Sequence, residues 1–167
     1  MNFKYNLVTY FITAITIMSC EAQTYDEKLE SLYNHTVDLI RVEDLKDWQN
    51  SKKDFYLLDI RSVEEYKVSH IKQAKFIDYD RFSKKDVTQL DKDKPVVLYC
   101  SVGYRSEKIG EKMKKLGFEK VYNLYGGIFQ WKNLDQSVVN ANGSETDSVH
   151  TYDKNWGQWL KKGVKIY

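Results

Sequence analysis

The sequence predicts an α/β domain: an open, mostly parallel five-stranded sheet with helices on both faces. Three observations carry that prediction. Short apolar runs recur between residues 36 and 134 and alternate with amphipathic, charge-rich segments, the order of β-α-β units. Two of the runs, FYLLDI (55–60) and PVVLYC (95–100), are apolar almost throughout, as parallel strands covered on both faces are. Composition supplies the core: 167 residues, 42% hydrophobic, one proline and eight glycines suit one domain with short extensions and exclude a low-complexity chain.

Along the chain, VDLI (37–40) opens the pattern as a short strand. VEDLKDWQN (42–50) follows with acids in its first turn and Val42, Leu45 and Trp48 on one side, which predicts a helix. FYLLDI is the second strand. SVEE (62–65) is a capping box, Ser62 accepting from the Glu65 amide while the Glu65 side chain reaches back, so a helix runs from 62 to about 67. AKFIDY (74–79) is a third strand. Residues 80–92, charged but carrying Phe82, Val87 and Leu90, predict a helix and a loop. PVVLYC is the clearest strand, with Pro95 at its entry, where a missing N–H does least harm. A helix over about 106–116 has Ile109, Met113 and Leu116 on one face, Glu107 early, Lys114 and Lys115 late, and Gly117 after it. VYNLYGG (121–127) is the last strand and its turn, and GIFQWKNL (127–134) a final helix with Trp131 in the core.

The flanks differ. The chain begins with an apolar run from Leu7 to Met18, too short for a bilayer, which needs about 20 residues, and of signal-peptide length. No polar face interrupts it, which argues against a core helix. The run ends in Ile17-Met18-Ser19-Cys20, which resembles the bacterial lipoprotein box, in which the cysteine is lipidated and becomes the first residue. The rival is ordinary cleavage after Ala22. The expectation is therefore a signal peptide over 1–19, lipidation at Cys20, an exported protein (periplasmic or a membrane-anchored lipoprotein), and a polar tether over 20–35 in which Leu29, Leu32 and Tyr33 could make a docking face. Beyond a polar link at 140–148, the extension 135–167 places Tyr152, Trp156 and Trp159 at helical spacing. It predicts an aromatic helix packed on the domain, with a partner-docking surface as the alternative and Gly157 as a weak point. A formal net charge of +2 with scattered lysines gives no pull toward nucleic acid.

The chemistry gathers in LYCSVGYRS (98–106). Cys100 ends a strand, where open parallel sheets place reactive groups. Gly103 permits a left-handed curl, so that loop amides converge on the sulfur as an anion-binding nest. The following helix N-terminus and the Arg105 charge add to it, and all three stabilise negative charge on sulfur. There are two cysteines, and loss or lipidation of Cys20 leaves Cys100 as the one free thiol. Histidines stand at 35, 70 and 150, and spacing brings none to the loop. His70 reads as structural.

Residues 36–134 resemble a rhodanese domain. The matching pieces are LLDIRSVEEY, SHI, AKFID, VVLYCSVGYRS and KLGFEKVYNLYGGIFQW, in family order. Ser69 stands where the family often has glycine. Cys100 to Arg105 is Cys-x4-Arg, the six-residue loop of rhodaneses. The related phosphatases and arsenate reductases have a loop one residue longer, wide enough for a phosphate-like group, and a histidine where this chain has Tyr99. The resemblance implies sulfur transfer by double displacement. Cys100 is the nucleophile, and Ser101, Val102, Gly103, Tyr104, Arg105 and Ser106 form the active loop. Asp59 would hold the loop by accepting hydrogen bonds, and Arg61 would be structural or a rim charge. The resemblance implies neither metal nor cofactor. A small sulfur donor and a thiol acceptor, with a protein acceptor as a further possibility, would be the partners, together with the membrane through Cys20. The alternative is a non-enzymatic sulfur carrier or binding module.

Overall fold

The computed structural model describes residues 23–167; the expected signal peptide and Cys20 lie outside the described residues. Five parallel strands form one sheet in the order β1-β5-β4-β2-β3: β1 Asp38–Ile40, β2 Tyr56–Asp59, β3 Lys75–Phe76, β4 Val96–Tyr99 and β5 Val121–Leu124. The strand alternation sorts the core into two layers. Leu57, Val97, Tyr99 and Leu124 face one way, onto α1 (Tyr25–Glu30), α2 (Val42–Asn50) and α5 (Gly127–Asn133). Leu58, Val96, Leu98 and Val121 face the other way, onto Ile109 and Met113 of α4 (Tyr104–Lys115). The capping box at Ser62 opens α3 (Val63–Val68), with both reciprocal bonds made.

Four expectations are corrected. The helix after Cys100 begins at Tyr104, not at 106, because Gly103 at φ +98° turns the chain directly into it. Arg105 and Ser106 therefore lie in the helix's first turn. Residues 80–92 form only a single 3-10 turn, Lys84–Val87, anchored by buried Val87. The segment expected to be a polar tether is part of the domain, docked through the Leu29, Leu32 and Tyr33 face that the sequence allowed. Thr24 caps α1, Leu29 and Tyr33 are buried, and Tyr25 stacks on Trp159 with ring centroids 5.5 Å apart.

The aromatic helix expected after residue 135 does not form. The extension is a hairpin of β6 (Val138–Val139) and β7 (Glu145–Thr146) and a parallel pair of β8 (Ser148–His150) and β9 (Val164–Ile166). Between β8 and β9 lies a single turn, α6 (Lys154–Gly157), capped by Asp153. Helical spacing misled because Tyr152 has φ +68°, outside any helix, and Gly157 sits against the Tyr167 ring. Trp159 goes to the core, Tyr152 is exposed and Trp156 is half-buried.

Candidate active site

Cys100 follows β4 directly and is 1% exposed. The four carbonyls from Cys100 to Gly103 are turned away from the sulfur and held. The Cys100 and Ser101 carbonyls accept from the Ile128 and Phe129 amides at 2.9 and 3.1 Å. That of Val102 accepts from the Tyr33 hydroxyl at 2.7 Å. That of Gly103 accepts from Asn123 Nδ2, Ser106 Oγ and the Glu107 amide. A peptide is planar, so each carbonyl fixed outward aims the next N–H inward. The Gly103 amide donates to Cys100 Sγ at 3.2 Å. The amides of Ser101, Val102, Tyr104, Arg105 and Ser106 have no protein acceptor among the described residues. The loop is a cradle of donors with a sulfur at its floor, an arrangement that binds anions.

Two glycines make the cradle possible. At Gly103, a Cβ would lie 2.2 Å from Tyr33 Oη. At Gly127, with φ +56°, a Cβ would lie 2.3 Å from the Cys100 carbonyl oxygen. The glycine pair after β5 thus lets the start of α5 approach close enough to bind the loop's carbonyls. Tyr33 joins the two turns, since its hydroxyl also accepts from the Gly126 amide at 2.9 Å. Burial, chiefly, pushes its phenol well above the ordinary value, so it remains a donor to Val102.

Glu65 holds the loop from the other side. Its carboxylate is 1% exposed and accepts four hydrogen bonds: from Ser101 Oγ (2.8 Å), Arg105 Nη2 (2.7 Å), Arg105 Nη1 (2.8 Å) and the Ser62 amide (3.0 Å). Burial opposes its charge, but the Arg105 fork outweighs burial and, with Arg61 and Ser62, draws its pKa down to about 2. The same residue completes the capping box of α3 and clamps the active loop. Asn123, fully buried on β5, bonds Ser106 Oγ through Oδ1 and the Gly103 carbonyl through Nδ2.

The supporting residues expected from the sequence bond to partners other than the loop. Asp59 does not hold the active loop. It makes a two-pronged ion pair with Arg61, Nε to Oδ1 at 2.9 Å and Nη2 to Oδ2 at 2.6 Å, both side chains fully buried. Nor is Arg61 a rim charge, since Nη2 also donates to the Ser69 carbonyl and so ties β2 to the turn after α3. The pair is structural because a charge so deep must be matched locally. His70 stacks on Tyr66, ring centroids 3.9 Å apart, with Nδ1 3.1 Å from the Tyr66 carbonyl. Trp131 is buried and donates to the Ser137 carbonyl.

Above the loop lies a cavity of about 380 Å³, bounded by Cys100, Ser101, Val102, Tyr104 and Arg105 below and by Leu32, Tyr79, Asp80, Tyr152 and Trp156 around it. Of the latter group, only Leu32 and the two aromatics Tyr152 and Trp156 stood out in the sequence, and those as packing or docking residues. Glu65 was legible as a cap, while its hold on the loop, like those of Tyr33 and Asn123, runs across 36, 69 and 20 residues of sequence. Among the described residues no group of His, Cys, Asp or Glu is placed to hold a metal ion.

The rhodanese-like domain model matches residues 41–134. Thiosulfate sulfurtransferase GlpE of Coxiella burnetii is 31% identical over 93 residues, covering 55% of this chain and 86% of that protein. The tRNA uridine(34) hydroxylase of Escherichia fergusonii is 39% identical over 83 residues, covering 47% of this chain. The chain spans only 24% of that hydroxylase's length. The crystal structure of the BH2092 protein from Bacillus halodurans superposes with a TM-score of 0.59 at 25% identity, covering 71% of this chain and 85% of that one.

Proposed function

The chain belongs to the rhodanese-like domain family, and from that premise we propose that it is a sulfurtransferase working through a Cys100 persulfide. The observation that carries this reading is the six-residue loop from Cys100 to Arg105, whose amides are free to face an anion above a buried sulfur. The Cys100 thiolate attacks the outer sulfur of a donor. The donor's S–S bond breaks, and its electron pair leaves with sulfite, a sulfinate or a thiolate. Cys100 then holds one extra sulfur, and the loop amides carry its charge. An external nucleophile, cyanide or a thiol, takes that terminal sulfur and restores the thiolate, giving ping-pong kinetics. Cys100 is the one free cysteine among the described residues, so none of them can resolve the persulfide as an internal disulfide, and the acceptor comes from outside.

The test is thiocyanate formation from cyanide with thiosulfate or an organic thiosulfonate as donor. Parallel double-reciprocal lines for the wild type and no turnover by Cys100→Ser support the reading; equal rates in both proteins refute it. A carrier role is the second reading, favoured by the near-complete burial of Sγ, which shelters a persulfide. It predicts stable sulfur loading with transfer only to a protein thiol.

We further read the protein as exported and anchored through Cys20, on the strength of the apolar run Leu7–Met18 and the Ile17-Met18-Ser19-Cys20 sequence. Membrane fractionation of the wild type and of Cys20→Ser tests it: anchoring requires that the wild type sediment with membranes and the variant not.

A further inference from the structure

The walls above Cys100 are not those of a site for a doubly charged anion. The charged side chains that line the cavity are Arg105 and Asp80. Both Nη atoms of Arg105 are engaged by the buried Glu65 carboxylate, so its positive charge is already matched. Asp80 is exposed and adds a negative charge. Lys28 rests over the Trp156 ring, 5.4 Å from its centroid, outside the cavity lining. A thiosulfate dianion approaching the Cys100 thiolate would meet no unmatched side-chain cation in the cavity lining, and the loop amides at the floor are left to face both its charge and that of the sulfur. The remaining walls, Leu32, Tyr79, Tyr104, Tyr152 and Trp156, offer hydrocarbon and ring faces in a cleft of about 380 Å³, the character of a pocket for an organic group. Tyr152 and Trp156 belong to the C-terminal extension, beyond the residues 41–134 that the family model matches. This wall is a property of the chain rather than of the shared domain.

We propose that the sulfur donor is organic, a hydropersulfide or thiosulfonate that bears an apolar or aromatic group and at most one negative charge, and that Tyr152 and Trp156 set this specificity by seating that group. The proposal rests on the sulfurtransferase reading. With a thiosulfonate, a bond forms between Cys100 Sγ and the outer sulfur. The donor's S–S bond breaks, its electron pair leaves on the sulfinate, and the charge totals match on both sides without an added oxidant or reductant. With a hydropersulfide the leaving group is the organic thiolate, and the proton stays with the transferred sulfur.

The experiment compares kcat/KM for benzenethiosulfonate, methanethiosulfonate and thiosulfate, with cyanide as acceptor. Each value is divided by the rate of the same donor with free glutathione thiolate, which removes intrinsic reactivity. Expected is a preference of at least tenfold for the benzene over the methane compound, with thiosulfate below both. The benzene-to-methane ratio falls toward one in Trp156→Ala and in the exposed-site variant Tyr152→Ala. The ratio is measured within one protein sample, so partial misfolding cancels. A normalised preference for thiosulfate, equal rates for the two thiosulfonates, or a ratio unchanged in both variants overturns the proposal. Failure of all three donors to load sulfur refutes the sulfurtransferase reading itself, and the proposal with it.

Discussion

Replacing Glu65 by Gln tests the clamp on the active loop. The substitution keeps the side chain's shape. It removes the charge that faces Arg105 and brings an –NH2 group into a site where Arg105, Ser101 and the Ser62 amide all donate. The folded protein draws the Glu65 pKa from the ordinary 4.5 to about 2. At about 1.4 kcal/mol per pH unit, that gap amounts to about 3 kcal/mol of stability at neutral pH. The folded pKa lies below the unfolded one, so this contribution is present above about pH 4.5 and is lost as pH falls toward 2. By pH 3 about half of it is gone. Urea unfolding followed by tryptophan fluorescence at pH 7 and at pH 3 measures it. Glu65→Gln should be less stable than the wild type by about 3 kcal/mol at pH 7, with the difference roughly halved at pH 3. A stability difference of the same size at both values would refute the argument that the charge of Glu65, rather than its packing, holds the loop.

The remaining predictions concern the frame around that clamp. Asp59→Ala strands the buried Arg61 charge and should cost roughly 3–5 kcal/mol, whereas Asp59→Leu combined with Arg61→Met should recover most of it; urea titrations of the two proteins decide. Ser69 Oγ is buried without a hydrogen-bond partner among the described residues, so Ser69→Ala should raise stability by about 1 kcal/mol, and a lowered melting temperature would show that the hydroxyl is satisfied in solution. Gly103→Ala forces a side chain onto a backbone at φ +98° and against Tyr33 Oη. It should destabilise by roughly 2–4 kcal/mol and abolish sulfur loading of the folded fraction; wild-type loading would contradict the cradle.

Much of the fold was legible because the deciding signals are local. The apolar runs at 55–60 and 95–100 become β2 and β4, and the Ser62–Glu65 box caps α3 as the sequence predicts. The left-handed Gly103 follows from the need to turn from strand into helix within a short loop. What the sequence concealed is set at long range. Glu65 looks complete as a helix cap, and nothing local reveals that the same carboxylate also receives Arg105 and Ser101. Asp59 was expected to hold the loop and Arg61 to be structural or a rim charge, but the two, two residues apart at the end of β2, are buried together and spend their hydrogen bonds on each other and on the Ser69 carbonyl. Tyr152, Trp156 and Trp159 mimicked a helical stripe. Positive φ at Tyr152 breaks the stripe and sends one ring to the core and two to the cavity mouth.

The central claim is that Cys100 takes and holds a sulfur atom. Intact mass spectrometry of the protein after incubation with benzenethiosulfonate or a glutathione persulfide, and removal of the excess donor, measures this directly. The account predicts a gain of one sulfur on the wild type, its loss on adding cyanide, and no such cyanide-reversible gain on Cys100→Ser. An unchanged mass with every donor, or the same gain on Cys100→Ser, would contradict it.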